Sequence, residues 1–353
     1  MKALITGVNG QDGSYMSESL IRDGYEVYGM IRRASTDGLE RLSGIIDDPK
    51  FHIVNGDITD TSRISYLVDK IKPDYIFHFA AQSNVGVSFD NPSYTVDTIV
   101  HGTLNILEAV REHDKSIKIY NAATSEMFGN EKNVNERGPF LPNSPYAAAK
   151  LCAFNMCNLY RRSYGLKVYS GITYNHESPR RHTDFVTRKV TMSVVMIASG
   201  INDELVLGNL NSSRDWGYAP EFINAMRLIM CGDPDDFVIA TGKAHTVREL
   251  VDITFECAGI TLSWSGSGLN EVATTNLVCG GYQSPNTTVV RVSPEYYRPT
   301  DVDALIGDTS KIRRTYGWEH RTSFHDMISM MVESDMKLVK SGNIPSMDKV
   351  ERL

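Results

Sequence analysis

This 353-residue chain has no pair of cysteines two residues apart, no apolar run of membrane-spanning length, no internal repeat and no excess of positive charge. Each absence removes a class of protein. The five cysteines (Cys152, Cys157, Cys231, Cys257 and Cys279) are odd in number and widely spaced. They fit reduced, mostly packed thiols better than a disulfide framework or a zinc site, so no metal is expected. Without a long apolar run no helix is expected to span a bilayer. The first residues form a short apolar strand, Lys2-Ala3-Leu4-Ile5-Thr6, with no charged leader before a longer apolar stretch, and a cytoplasmic location is expected. A net charge of −7 argues against nucleic acid or an anionic membrane as partner, although local arginines can still hold a small anion. What is present is ordinary for a soluble globular protein: 41% hydrophobic and 22% charged residues, in a chain long enough for one large domain or two closely packed ones.

The first half alternates short apolar runs with longer amphipathic ones, the pattern of a parallel α/β sheet. Strands are expected at 2–6, 26–31, 51–55, 75–79, 118–122 and 167–173, and helices at 13–23, 62–70, 95–113 and 146–164. The rhythm changes after Tyr174, where Arg-rich polar segments begin. A strand at 237–241 and helices at 246–257 and 327–340 follow, and the Gly-, Ser-, Thr- and Asn-rich stretch 264–294 reads as a loop or lid. The expected architecture is a Rossmann-type doubly wound sheet over residues 1–170, binding a dinucleotide. A smaller C-terminal α/β substrate-binding domain covers 171–353, with the chain free to cross back.

Gly7, Gly10 and Gly13 directly follow the first strand and open a helix. Glycines there allow a tight turn and close backbone approach, and the helix N-terminus attracts a pyrophosphate. The spacing differs from GxGxxG, so the placement after a strand carries the argument. At the end of the second strand stand Arg32 and Arg33, where an NAD binder places an acid. Arginines hold a 2′-phosphate by charge-assisted bonds, which points to NADP. Asp57 and Ile58 follow the third strand, beside the expected adenine position, with a simple turn carboxylate as the alternative for Asp57. Small residues at Ala80, Ala81 and Ser83, around Gln82, let a cofactor approach the backbone after the fourth strand. Gly7, Arg32, Asp57, Ala81, Thr124 and Asn175 all fall just past the carboxyl ends of expected parallel strands, the edge at which open α/β sheets bind ligands.

Tyr146 and Lys150, four apart on one helical face, bring an ammonium to a phenol. A phenol working as a base near neutrality needs its pKa lowered by about 3 units, or ~4 kcal/mol. One cation at ~4 Å in an effective dielectric of ~20 supplies about that much. Glu126, in Thr124-Ser125-Glu126, adds a second and much weaker base, and two bases tuned apart suggest two proton transfers in one site. Ser144-Pro145 is a helix-start signal ahead of Tyr146.

With these residues in place, the chain resembles the extended short-chain dehydrogenase/reductases over nearly its whole length, and within them the GDP-mannose 4,6-dehydratases. The resemblance rests on Ile5-Thr6-Gly7-x-x-Gly10-Gln11-Asp12-Gly13-Ser14-Tyr15, Ala81-Gln82-Ser83, Thr124-Ser125-Glu126 and Ser144-Pro145-Tyr146-x-Ala148-Ala149-Lys150. It extends through Asn175-His176-Glu177-Ser178-Pro179-Arg180-Arg181, Phe185-Val186-Thr187-Arg188-Lys189, Arg214-Asp215-Trp216-Gly217 and Tyr297-Arg298-Pro299-Thr300. It differs from the family pattern at His182 and Ala273, outside the catalytic set. The resemblance implies conversion of GDP-mannose to GDP-4-keto-6-deoxymannose and water, with catalysis by Thr124, Glu126, Tyr146 and Lys150. It implies NADP contacts at Gly7, Gly10, Asp12, Arg32, Asp57, Gln82, Tyr94, His176 and Arg181, and Lys150 on the nicotinamide ribose. Asn175, Lys189, Arg214 and Arg298 are implied near the GDP-sugar, and a homo-oligomer (dimer or tetramer) is implied as the assembly. Rival readings are a 4-epimerase, a dehydratase of dTDP-glucose, whose subgroup has Asp-Glu at Ser125-Glu126, and a cofactor-binding protein without catalysis.

Overall fold

A computed structural model describes residues 1–353 except 35–37, 132, 276–277, 280–281, 284–285, 297–303 and 346–353. The chain divides into two compact units. The first comprises 1–176, 219–242 and 306–320; the second comprises 177–218, 243–305 and 321–353.

The first unit is built on the strands β1 (Lys2–Thr6), β2 (Glu26–Ile31), β3 (Phe51–Asn55), β4 (Tyr75–His78), β5 (Lys118–Thr124) and β6 (Lys167–Thr173). A seventh strand, Asp236–Ile239, returns to pair with β6, and every pairing in the sheet is parallel. The order is Asp236–Ile239, β6, β5, β4, β1, β2, β3, so the winding reverses between β1 and β4. Ligands of open α/β sheets bind at such a reversal, beyond the carboxyl ends of the strands. Both sheet faces are buried, which explains the nearly continuous apolar runs. Along β1, Ala3 and Ile5 enter one core with Met16, Phe77 and Phe222, while Leu4 enters the other with Ile64, Ile76 and Leu107.

The helices of this unit are α1 (Gln11–Arg22), α2 (Thr61–Ile71), α3 (Val85–Asp90), α4 (Pro92–Val96), α5 (Gly102–His113) and α6 (Pro145–Tyr164). Side chains cap three of them: Asp60 at α2, Asn84 at α3 and Ser144 at α6. At α1 the N-cap is Gly10 and no side chain closes the first turn. The continuous helix expected over 95–113 is instead interrupted by a π turn at Asp97–His101, inserted between α4 and α5. Periodicity could not reveal the extra residue, because the turn is held by tertiary hydrogen bonds described below.

In the second unit the helices α7 (Val186–Ala198), Val247–Cys257 and Phe324–Lys340 pack around a core with Leu205, Trp216, Ala273, Val290 and Met331. The stretch 264–294, expected as a loop or lid, contains strands. Ser263–Ser265, Val272–Thr275, Thr287–Val292 and Leu205–Leu207 form a four-stranded sheet. Apolar packing outweighs the loop-like composition here: Ala273 and Val290 are fully buried in register with one another. Among the described cysteines, Cys152, Cys157, Cys231 and Cys257 are free; Cys157 is buried but Cys152 and Cys231 are exposed, so they are less packed than expected.

Candidate functional site

The turn after β1 is formed for close approach. Gly7 has φ +70°, and a Cβ there would sit 2.9 Å from the Ala80 amide nitrogen; at Gly13 a Cβ would lie 2.5 Å from the Gly7 carbonyl oxygen. The loop therefore packs against the end of β4 with no room for side chains, and it leads into the uncapped start of α1. Backbone N–H groups without a side-chain cap form a cradle for phosphate oxygens, so the residues present fit a dinucleotide.

The support beneath this loop was not legible in the motifs. Thr6 Oγ1 accepts from the amides of Phe79 and Ala80, both at 3.2 Å, so its own hydrogen goes to His78 Nδ1 at 2.8 Å. The proton on His78 is then on Nε2, which donates to Thr103 Oγ1 at 3.2 Å, and the Thr103 hydroxyl donates to the Ile99 carbonyl in the π turn at 2.7 Å. Burial, and then the positive charge of Lys150, push the His78 pKa down to about 3 and keep the ring neutral. The ends of β1 and β4 and the π turn are thus joined by one chain of hydrogen bonds.

The same π turn places Thr98 under Gln82, whose amide nitrogen donates to Thr98 Oγ1 at 3.4 Å. The Gln82 side chain donates to Thr95 Oγ1 and to the Asn84 carbonyl, and accepts from the Asn84 amide, so it closes its own turn. Ala81 packs with Ile99 against Tyr146, Ala149 and Ala153 of α6, and Ser83 is exposed. Arg32 Nη1 donates to the Tyr94 hydroxyl at 2.7 Å and its guanidinium lies 6.0 Å from that ring. Asp57 accepts from the amide and hydroxyl of Thr59, the local turn weighed for it above. The Ile58 side chain is in the core, leaving only its backbone at the sheet edge.

Thr124 ends β5 and accepts the Glu126 amide at 3.3 Å, capping the short 3-10 turn Ser125–Phe128 that carries Glu126. Helix α6 packs on both β5 and this turn. Ser144 accepts the Ala147 amide at 3.1 Å, and Pro145 occupies the first helical position, so the helix begins one residue before Tyr146. Lys150 Nζ donates to the Ala122 carbonyl at 2.8 Å and lies 5.9 Å from the Tyr146 ring centre. Enclosure of the ammonium lowers its pKa to about 8, which leaves it largely charged at neutral pH. His176 closes the set in this unit, with Nε2 3.0 Å from Asp12 Oδ2. Asn175, beside it, is half-buried.

Three of the remaining expected residues belong to the second unit. Arg181 Nε is 3.1 Å from Glu177 Oε2, and its guanidinium stacks 3.6 Å from the Phe185 ring centre. Glu177 also accepts the Thr187 hydroxyl. Glu177 and Thr187 both stand in the motifs, but no motif shows that the two are in contact. Lys189 donates to the Val206 carbonyl at 2.8 Å and lies 3.8 Å from the Tyr296 ring centre. Arg214 is buried, with Nη1 donating to the Ser213 carbonyl. Arg298 lies outside the described residues. Among the described residues no group of three or more His, Cys, Asp or Glu could hold a metal, and no helix is long and apolar enough to cross a membrane.

A seven-stranded parallel sheet with a glycine cradle at its reversal and a Tyr-Lys pair beside its fifth strand is an architecture similar to that of solved nucleotide-sugar epimerases and dehydratases. A solved UDP-glucose 4-epimerase from Thermotoga maritima, in complex with UDP-glucose, superposes with a TM-score of 0.79 at 25% identity, covering 96% of this chain and 100% of that one. A dTDP-glucose 4,6-dehydratase from Bacillus anthracis, in complex with NAD, gives 0.77 at 20% identity, covering 96% and 98%, and shows the fold. Within the class the match is narrower. The family described as GDP-mannose 4,6 dehydratase matches residues 4–331. The GDP-mannose 4,6-dehydratase of Yersinia enterocolitica is 44% identical over 96% of this chain and 95% of its own length. That of Homo sapiens is 41% identical over 96% and 92%. The chain belongs to the GDP-mannose 4,6-dehydratase family.

Proposed function

We infer that this protein is a nucleotide-sugar 4,6-dehydratase that converts GDP-mannose to GDP-4-keto-6-deoxymannose and water, with NADP as its resident cofactor. The observation that carries the reading is the juxtaposition on β5 and α6: Thr124 ends and Glu126 follows the strand whose Ala122 carbonyl holds Lys150, one turn from Tyr146. When bound, the nicotinamide supplies reversible hydride acceptance, so the reaction has no net redox change. The loop Gly7–Gly13 and the start of α1 would hold its pyrophosphate, with Asp57, the Ile58 backbone and the turn at Ala81–Ser83 lining its path. Arg32, braced by Tyr94, supports the choice of NADP over NAD, since a guanidinium matches a 2′-phosphate.

The chain's own groups divide the proton work. Tyr146 takes the proton of the C4 hydroxyl, with the Lys150 ammonium favouring its phenolate, and Thr124 donates a hydrogen bond to the C4 oxygen. Once C4 is a ketone the C5 hydrogen is acidic enough for a carboxylate, and Glu126 removes it. Glu126 then delivers that proton to the departing C6 hydroxyl as water forms, and Tyr146 returns its proton at C5. Lys189 and Arg214 of the second unit, with Asn175, are the candidates for holding the GDP-sugar, and Arg181 for the cofactor. A cytoplasmic assembly of identical subunits, with no nucleic acid as partner, completes the reading; free thiols and the acidic balance support it.

The test is to incubate the protein with GDP-mannose and a catalytic amount of NADP⁺ and follow the product by mass. Loss of one water without NADPH accumulation is expected. Unchanged mass with a new isomer would make the protein a 4-epimerase, a reaction that leaves Glu126 without a task. Clear preference for NAD in a dinucleotide titration would overturn the role of Arg32.

A further inference from the structure

His176 faces two acceptors. Its Nδ1 lies 2.8 Å from the Tyr174 carbonyl oxygen and its Nε2 lies 3.0 Å from Asp12 Oδ2. The ring plane is set by stacking on Phe222, with centres 4.9 Å apart and planes 18° from parallel. A carbonyl cannot donate, so Nδ1 carries a hydrogen. A neutral imidazole has only one N–H, which would leave a bare Nε2 against a bare carboxylate oxygen. Either the ring is doubly protonated or Asp12 is protonated. The surroundings of Asp12 decide between them. Asp12 is in the first turn of α1, where the helix dipole favours a carboxylate. Its other oxygen accepts Gln11 Nε2 at 3.2 Å, and 22% of its side chain is open to solvent while His176 keeps 9%. A solvated carboxylate with donors at both oxygens stays ionised, and an anion at 3.0 Å favours the imidazolium.

An ionised Asp12 is out of place by itself. It stands between Gly10 and Gly13, at the uncapped helix start that fits a diphosphate. Burial lowers the Lys150 pKa and raises that of Tyr120, and the charge of Asp12 is felt at both as a smaller upward pull. Uncompensated, it would repel the phosphate oxygens that the loop is shaped to receive. We propose that His176 is a positioning residue, held as an imidazolium that neutralises Asp12, so that the start of α1 meets the diphosphate of a dinucleotide without net negative charge. The segment carrying the ring is strapped to the same helix: Gln11 Nε2 donates to the His176 carbonyl at 2.9 Å. The inference rests on the reading of this loop as the dinucleotide site.

A double-mutant cycle on NADPH binding, followed by cofactor fluorescence near neutral pH, tests it. His176→Gln should weaken binding by about tenfold, equivalent to ~1.4 kcal/mol. In an Asp12→Asn background the same change should matter by less than about twofold, because the charge to be neutralised is gone. A merely structural role for His176, packing on Phe222, would weaken both backgrounds by the same factor and overturn the proposal. Nitrogen NMR of the wild-type protein labelled at histidine keeps the question decidable if His176→Gln does not fold. Both ring nitrogens of His176 are expected to be protonated, and one bare nitrogen would overturn the ion pair. Wild-type protein that binds no dinucleotide would instead remove the reading of the loop, while the nitrogen shifts would still report the charge of His176.

Discussion

Two cations in this molecule, the half-buried Lys150 and the buried Arg188, are held in opposite ways. In the first unit, the Lys150 ammonium donates a hydrogen bond to a backbone carbonyl, that of Ala122, beside the Tyr146 ring. In the second unit, Arg188 of α7 pairs at 2.7 Å with Asp335 of the last helix, the two side chains being 4% and 0% exposed. Asp335 also accepts the Thr191 hydroxyl at 2.7 Å, and Arg188 donates to the Pro179 carbonyl. Burial raises the Asp335 pKa to about 6, against the pull of Arg188, yet leaves it ionised at neutral pH. Burial, with no carboxylate paired to it among the described residues, brings the Lys150 ammonium near the threshold of losing its proton, with a pKa lowered to about 8. A guanidinium locked to a carboxylate has no such freedom and joins two helices instead. The first arrangement suits chemistry and the second suits architecture.

The largest effect should come from removing the chemical cation. Lys150→Met is expected to lower turnover by about 10²–10⁴-fold, the usual worth of a positioned acid–base group, without lowering the melting temperature. Full activity in that variant would break the contrast. Next, Asp335→Ala leaves Arg188 buried without its carboxylate and should destabilise the fold by about 3–5 kcal/mol in denaturant unfolding. A change below 1 kcal/mol would mean that Arg188 finds water instead.

The pH dependence separates the two cations more finely. The Lys150 pKa is depressed in the folded state, so the unfolded chain binds more protons between about pH 8 and its ordinary value of 10.5. Stability from this group therefore rises as pH increases through that window and is lost as pH falls through 8. Wild type should gain ~2–3 kcal/mol relative to Lys150→Met between neutral pH and pH 10. Parallel stability curves for the two proteins would contradict the buried ammonium. The smallest effect concerns the frame that aims Lys150: Ser144→Ala removes the α6 cap and should cost about 1 kcal/mol. Turnover should fall only a few-fold, because packing of α6 on β5 remains.

The parallel sheet was readable because its strands are buried on both faces and appear as short apolar runs between amphipathic helices. The Tyr146–Lys150 pair was readable for a similar reason: helical spacing is local, and Ser144-Pro145 announced where the helix starts. The π turn at Asp97–His101 was not, since Thr98 and Thr103 reach partners on other segments that no window of sequence contains. Strands within 264–294 were masked by turn-rich composition: Val272–Thr275 alternates, but Thr287–Val292 buries Val289 and Val290 side by side. Nothing in the sequence singled out His78, and only its partners Thr6 and Thr103 reveal it as a neutral link.

Local chemistry along the chain thus determined the alternation of strands and helices, the glycine turn after β1, and the face that Tyr146 shares with Lys150. Tertiary structure alone decided which charges are present and what holds them: the lowered pKa values of Lys150 and His78, the Asp12–His176 contact and the Arg188–Asp335 lock. Protonation depends on burial and on partners brought together through space, and these exist only after the chain has folded.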